Sequence, residues 1–250
     1  MKRLARAQDA YGQMILAALD GAPLHEIVER DDGFISASIL GPQIYFAPFR
    51  RWPAHHRQGL RYVRGRVLDV GAGAGRVALH VQERGHEVVA IDLSPGAIEA
   101  CKRRGVRDAR ELALEDVGES LGVFDTVVMY GNNFGLFASR AKAKRLLRRL
   151  HRLTSERGRI VAETRDVRRG DDPAHVRYRK RNVARGRMPG QIRIRVRYRD
   201  LATPWFDYLM VGPDELRDLL DGTGWTLART IDSDDTYIAV IDKTPPIRLG

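Results

Sequence analysis

The segment VLDVGAGAGRVALHV, residues 67–81, holds an acid, Asp69, in a short apolar run. Three glycines follow at alternate positions, Gly71, Gly73 and Gly75, and an amphipathic stretch comes next. A strand, a glycine turn and a helix in that order set backbone N–H groups and a helix N-terminus beside a ligand, and glycine lets the main chain come close to it. The spacing departs from two phosphate-binding turns. A dinucleotide turn needs G-x-G-x-x-G, whose third glycine allows close helix–strand packing, and here that position is Arg76. A P-loop needs G-x-x-x-x-G-K-[ST], which is absent. Nothing in the turn is specific for a pyrophosphate. Further acids recur downstream. Asp92 closes the run EVVAID (87–92), at about the 20-residue interval of a ribose-binding acid in a βαβ unit. Glu115 and Asp116 lie in ELALEDV (111–117), after the next short run. Each acid falls at the carboxyl end of a successive expected strand, the edge where open α/β sheets bind ligands.

These residues resemble the motifs of class I S-adenosylmethionine-dependent methyltransferases, whose first signature is an acid followed by G-x-G-x-G, matched by Asp69, Gly71, Gly73 and Gly75. The resemblance covers residues 61–165 and, in outline, 213–243; residues 1–60 and 166–211 match no motif. It implies S-adenosyl-L-methionine as cofactor. Asp69 would meet its ammonium group, directly or through water, while Gly71, Ala72, Gly73 and Gly75 bring backbone to the methionine and ribose. Asp92 would take the ribose hydroxyls, with Leu93 beside it, and Glu115 or Asp116 would face the adenine amine. The segment YGNNFGLF, Tyr130 to Phe137, would pass under the sulfonium and the acceptor. Tyr130 and Asn132 then belong to the cofactor, Asn132 also to the catalytic step, and Asn133 to the acceptor.

The elements that must position these residues alternate between short apolar runs and helical periods, the signature of a parallel sheet wrapped by helices. VLDV (67–70), EVVAID, a run near Ala109–Leu114, FDTVVMY (124–130) and GRIVAETR (158–165) are expected strands. Residues 76–84, 94–105 and 139–153 are expected helices, the second capped by Ser94 with Pro95 behind it and stopped by Gly105, the third capped by Ser139. After residue 165 the rhythm breaks into a basic stretch with two antiparallel strands, QIRIRVRYRD and WFDYLMV. It resumes with a helix over 213–224 and a final strand pair, WTLARTID and TYIAVIDK. The expected fold is α/β, a doubly wound, Rossmann-like sheet of seven mostly parallel strands ending in an antiparallel hairpin. Residues 1–60 form an N-terminal helical lid, 61–165 the cofactor-binding core, 166–211 a basic β insertion after the fifth strand, and 212–250 the completion of the sheet.

Composition bounds the rest. The chain has 250 residues, 43% hydrophobic and 30% charged, enough for one large domain with a core and a solvated surface. A single cysteine, Cys101, excludes an intrachain disulfide framework and suits a reducing cytoplasm. The apolar run MILAAL follows Asp9 and is too short for a signal segment, and no stretch approaches a membrane span, so a soluble cytoplasmic protein without a membrane partner is expected. The net charge of +11 raises nucleic acid as a partner, but arginine is abundant throughout while lysine is scarce, which fits a compositional bias.

The acceptor is less legible than the donor, because methyl transfer chiefly requires alignment and needs deprotonation only for acceptors such as hydroxyls. Methyltransferases of adenine or glutamine nitrogen carry [DNS]-P-P-[YFW] after the fourth strand; G-N-N-F stands there instead. Cys101 lies on a helix after the second strand, so the nucleophile of cytosine-C5 methylation is missing. In small-metabolite methyltransferases an N-terminal segment closes over the ligand. Tyr11 is assigned to the cofactor, Tyr45, Phe46 and Trp52 to the acceptor, and His55 or His56 to a general base. In QIRIRVRYR, Arg193, Arg195, Arg197 and Arg199 alternate with apolar residues, which reads either as a phosphate groove or as a solvated strand face that discourages edge pairing. No His/Asp cluster has ligand spacing, so no metal is expected. The expected function is O- or N-methylation of a small molecule, of the kind found in secondary metabolism. A nucleic-acid methyltransferase using the basic insertion is the first alternative, and a non-catalytic cofactor-binding scaffold the second. The oligomeric state stays open.

Overall fold

The structure is a computed structural model that describes residues 4–39 and 43–244. The chain runs α1 (Ala10–Leu19), β1 (His25–Arg30), β2 (Ile35–Ile39), α2 (Gln43–Phe46), α3 (Ala54–Gly59), β3 (Val67–Val70), α4 (Arg76–Glu83), β4 (Val88–Asp92), α5 (Pro95–Arg103) and β5 (Ala109–Glu111). It continues with β6 (Phe124–Met129), α6 (Arg140–Arg152), β7 (Thr154–Arg165), α7 (Pro173–Ala184), β8 (Gln191–Tyr198), β9 (Leu201–Ala202), β10 (Phe206–Leu209), α8 (Pro213–Leu220), β11 (Trp225–Asp232) and β12 (Thr236–Lys243).

Seven strands form one sheet in the order β11-β12-β7-β6-β3-β4-β5. Its five strands from β5 to β7 are parallel, and the β11–β12 hairpin adds to β7 antiparallel, as the sequence led us to expect. Strand alternation sends successive residues to opposite faces. Leu68, Val70, Val127, Met129, Ile160 and Ala162 pack on one side, where Leu146, Leu147 and Leu150 of α6 cover them. Val67, Val128 and Val161 pack on the other with Val77, Ala78 and Val81 of α4 and with Trp52. By the same alternation Asp69 and Glu163 belong to the α4 side, and both are buried there. The helix signals act as expected: the Ser94 hydroxyl accepts from Ala97 N at 3.0 Å ahead of Pro95, and Ser139 caps α6.

A second sheet holds the two antiparallel strands expected in the insertion, β8 and β10, but its extension by strands of the N-terminal segment was not anticipated. Its order is β10-β8-β1-β2, with β9 on β8. Residues 1–60 are thus helical in α1 and α3 but also supply the β1–β2 hairpin, which pairs with the insertion, Val28 opposite Val196. The sequence HEIVER hides this strand, because charged residues at both ends blur its alternation and most of it is only half-buried. Helix α7 was also missed within the basic stretch, although Asp172 and Pro173 signal its start. The Asp172 carboxylate accepts from Ala174 N at 2.7 Å and from His175 N at 3.2 Å.

Candidate active site

Strand order reverses at β3: β4 and β5 follow on one side, β6 and β7 on the other, and the crevice at such a switch point is the ligand position of open α/β sheets. The glycine turn leaves β3 there. Gly71, Gly73 and Gly75 all have positive φ, 71°, 55° and 74°. Space is also tight: a Cβ on Gly71 would lie 2.4 Å from the Asn133 amide nitrogen, and one on Gly73 2.9 Å from the Tyr11 hydroxyl. Asp92 faces the same turn, with Oδ2 accepting from Gly73 N and Oδ1 from Ser94 N, both at 2.9 Å. Burial pushes Asp92 up to about 6 against those N–H groups. Asp69 is 2% exposed, and its Oδ2 has no hydrogen-bond partner. Burial, with Asp92 nearby, pushes it up to about 7 against the Ala78 N–H and Arg76. An orphaned buried carboxylate oxygen is costly, and a ligand ammonium would satisfy it.

The loop after β6 ties the turn to a second cluster. Asn133 Nδ2 donates to Val70 O at 3.2 Å and Gly71 O at 2.7 Å. Asn132 adopts a left-handed conformation, φ 62°, and its carbonyl accepts from the Tyr208 hydroxyl of β10 at 2.6 Å. Glu163, near the end of β7, accepts from Gly131 N at 2.6 Å and Asn132 N at 3.2 Å through Oε2. Its Oε1 lies 3.0 Å from His56 Nε2 and 3.6 Å from His55 Nε2. Burial alone would raise Glu163, but the two imidazoles and the Gly131 N–H outweigh it and hold the carboxylate well below its usual range. Burial lowers His56, with Glu163 opposing. Arg76 completes the cluster: Nη2 is 3.2 Å from His56 Nδ1, and the guanidinium lies 4.3 Å over the Trp52 ring.

The expected site residues divide accordingly. Asp69, Gly71, Ala72, Gly73, Gly75 and Asp92 gather at the turn, with Ala72 N bonded to Ile91 O at 3.0 Å. Tyr11 and Tyr45 meet over it as an edge-to-face pair, centroids 6.0 Å apart, and Tyr45 donates to Glu26 Oε1 at 3.2 Å. Leu93 follows Asp92 and stays 38% exposed. Asn132, His55 and His56 converge around Glu163. The remaining six residues are held by contacts of their own. Glu115 pairs with Lys142 of α6, and Asp116 lies exposed on the same 3₁₀ turn. Trp52 is buried, donating Nε1 to Ala47 O at 2.8 Å. Phe46 lies against the Arg104 guanidinium. Asn133 spends its amide on backbone carbonyls, and Tyr130 is buried with its hydroxyl on His56 O at 3.3 Å. Sequence alone missed Glu163, Glu26 and Tyr208, which single out nothing in their local context. Arg76 was visible as the residue that broke the dinucleotide pattern.

Comparison with known proteins agrees with this arrangement. A family model described as a methyltransferase domain matches residues 67–158. The magnesium-protoporphyrin O-methyltransferase of Rhodobacter capsulatus is 39% identical over 67 residues, a stretch that spans 25% of this chain and 30% of that enzyme. Among solved structures, a methyltransferase of Bacteroides fragilis in complex with S-adenosyl-L-homocysteine superimposes with a TM-score of 0.81 at 27% identity, covering 97% of this chain and 98% of that one. The CcbJ methyltransferase of Streptomyces caelestis shares the fold at a TM-score of 0.62 and 14% identity, over 95% and 99% of the two chains. The likeness thus extends through the β1–β2 hairpin and the insertion, where no motif was legible. A glycine cradle at the switch point, a buried acid with an unpartnered oxygen and a fold shared from end to end with a cofactor-product complex lead to one family: the chain is a class I S-adenosylmethionine-dependent methyltransferase, with S-adenosyl-L-methionine as its cofactor.

Proposed function

We propose that this enzyme methylates a small-molecule acceptor at oxygen or nitrogen, in the cytoplasm. The observation that carries a small acceptor is the cover over the turn. Tyr11 and Tyr45 close on Gly73 from the N-terminal segment, and Tyr208 of the second sheet bonds to the loop that ends β6. Residues 1–60 and 166–211 would then act together as one lid, joined through β1 and β8. The arginine face of β8 is largely committed to acids: Arg195 and Arg197 bond to Glu29 at 2.8 and 3.2 Å, and Arg193 lies 3.9 Å from Asp207, which Arg187 ahead of the strand also reaches, at 3.2 Å. Charges so paired attract phosphates weakly.

When bound, S-adenosylmethionine supplies an electrophilic methyl group. This chain's residues would hold it by Asp69 at the ammonium, the turn's backbone along the methionine, Asp92 at the ribose and Leu93 against the adenine. Tyr45, with Glu26 behind it, would line the acceptor side, and the histidines of α3 would handle a proton. The test is a mass-spectrometric screen of hydroxyl and amine acceptors for S-adenosylhomocysteine release, run beside binding to mixed RNA and DNA at two salt concentrations. Turnover of a small acceptor is expected. Salt-sensitive nucleic-acid binding lost on reversing Arg193 and Arg195 would favour the nucleic-acid alternative, and the exposed Arg177, Lys180, Arg181 and Arg185 of α7 make that arm worth running. Cofactor binding without turnover of any acceptor would favour a scaffold.

A further inference from the structure

The cluster of His55, His56 and Glu163 brings three possible metal-ligand atoms within 4.8 Å of one another, all buried. Arg76 decides what it does. A guanidinium only donates, so the 3.2 Å contact makes His56 Nδ1 an acceptor. The proton of a neutral His56 then sits on Nε2 and donates to Glu163 Oε1 at 3.0 Å. Metal-bound histidines are held the opposite way, with the second ring nitrogen donating to a carbonyl or carboxylate. A cation on His56 Nε2 would require an imidazolate, or the displacement of Arg76 from its place over Trp52. The surroundings suit a proton, not a metal.

His56 is therefore committed at both nitrogens. His55 is not: its ring lies edge-to-face on His56 with centroids 4.4 Å apart, and its Nε2 is buried, 3.6 Å from Glu163 Oε1 and without a hydrogen-bond partner. An orphaned buried imidazole nitrogen costs free energy unless a ligand uses it. Hydrogen bonds tie the cofactor turn to the carboxylate that His55 faces, from Gly71 O to Asn133 and from Gly131 N and Asn132 N to Glu163. Resting on the methyltransferase function proposed above, we propose that His55 Nε2 takes up the proton of the methyl acceptor, and that Arg76, His56 and Glu163 are the positioning residues that keep it free to do so. The N–H bond forms from the Nε2 lone pair. The electrons of the broken O–H or N–H bond stay on the acceptor as its attacking pair. The Glu163 carboxylate then faces the new imidazolium. The other charged or titratable groups around the cluster are Asp69 of β3, Arg76 of α4, Tyr130 after β6, Tyr208 of β10 and Tyr45 of α2.

Nitrogen-15 NMR of the imidazoles, on protein saturated with S-adenosylhomocysteine, reads the tautomers without an acceptor. His56 is expected as the Nε2–H tautomer and His55 as the Nδ1–H tautomer. Arg76→Met should let His56 divide between tautomers. With an acceptor from the screen, His55→Asn should lower kcat by about 10²-fold or more, leaving the affinity for S-adenosylhomocysteine within about twofold. An Nδ1–H His56, Zn²⁺ alone shifting both Nε2 signals at stoichiometric concentration, or full kcat in His55→Asn would overturn the proposal. Calorimetry on the same samples separates the two levels. If the intact protein binds no S-adenosylhomocysteine, the family assignment is at fault; if binding is intact and the tautomers differ, only the relay is.

Discussion

Asp9 offers the sharpest quantitative test of how the lid is held. It is fully buried and divides its carboxylate between two helices, Oδ1 accepting from Gly12 N of α1 at 3.0 Å and Oδ2 from Gly96 N of α5 at 2.8 Å. One carboxylate so caps both N-termini, where the helix dipole also favours it. The helices cross closely enough that a Cβ on Gly96 would lie 2.6 Å from the Gly12 carbonyl carbon, leaving little room for water to replace the bonds. Each hydrogen bond to a charged group contributes roughly 1.5–3 kcal/mol, so Asp9→Ala should cost about 3–5 kcal/mol after partial relaxation. For a chain of this size that lowers Tm by roughly 10 °C, at about 2–4 °C per kcal/mol. Asp9→Asn keeps one acceptor but turns an amide donor toward the other N–H, and should recover less than half. Because Asp92 and Ser94 immediately precede α5, S-adenosylhomocysteine affinity should fall as well. Thermal and urea melts by circular dichroism, with and without ligand, read both effects. A loss under about 1 kcal/mol in Asp9→Ala would refute the latch, since it would mean the two N–H groups find other partners.

Other consequences follow from the same site. Asp92→Ala removes the acid facing the turn and should weaken S-adenosylmethionine binding by about 10–100-fold, the equivalent of one or two charged hydrogen bonds, as calorimetry would register. Asp69 and Asp92 stay protonated in the ligand-free folded chain up to about 7 and about 6, whereas the ordinary aspartate value is 3.8, so folding takes up protons in between. Their contribution to stability is therefore full below about pH 4 and is lost as pH rises toward 7, while cofactor affinity rises over that interval. Glu163, held low, acts oppositely and loses its contribution as pH falls below its ordinary value of 4.5. Melts and calorimetry from pH 4 to 8 would show these trends, and ligand-free stability that does not decline between pH 5 and 7.5 would contradict the first. Gly135→Ala sets a Cβ 2.1 Å from the Tyr208 ring, so it should cost about 1–3 kcal/mol and detach Tyr208 from Asn132; Tyr208→Phe should cost only about 1 kcal/mol in the same melt.

The core sheet and the cofactor turn were legible because their determinants are local. Strand runs such as VLDV and FDTVVM carry their burial in consecutive residues, Ser94–Pro95 announces α5, and three glycines mark a turn that demands positive φ. The adenine-side acids were expected from position alone, and the structure adds a contact that position does not encode: Glu115 pairs with Lys142 of α6. Trp52 and Tyr130 were expected at the site as aromatics, and the fold buries both, since an aromatic near a site serves packing as readily as recognition.

What the sequence determined by itself is the cofactor and the turn that announces it, since a motif at one strand end needs only its own backbone and the next strand's acid. The acceptor half was decided by tertiary structure. β1 and β8 are far apart in the chain and meet through backbone pairing that their charged side chains conceal. Arg76, His56 and Glu163 come from α4, α3 and β7 and acquire roles only through mutual contact. Asn132, expected at the cofactor and in the catalytic step, has its backbone shared between Glu163 and Tyr208. Long-range hydrogen bonds and buried charge pairs depend on geometry that no local spacing encodes, which is why Glu163 and Arg76 joined the histidines only once the chain was folded.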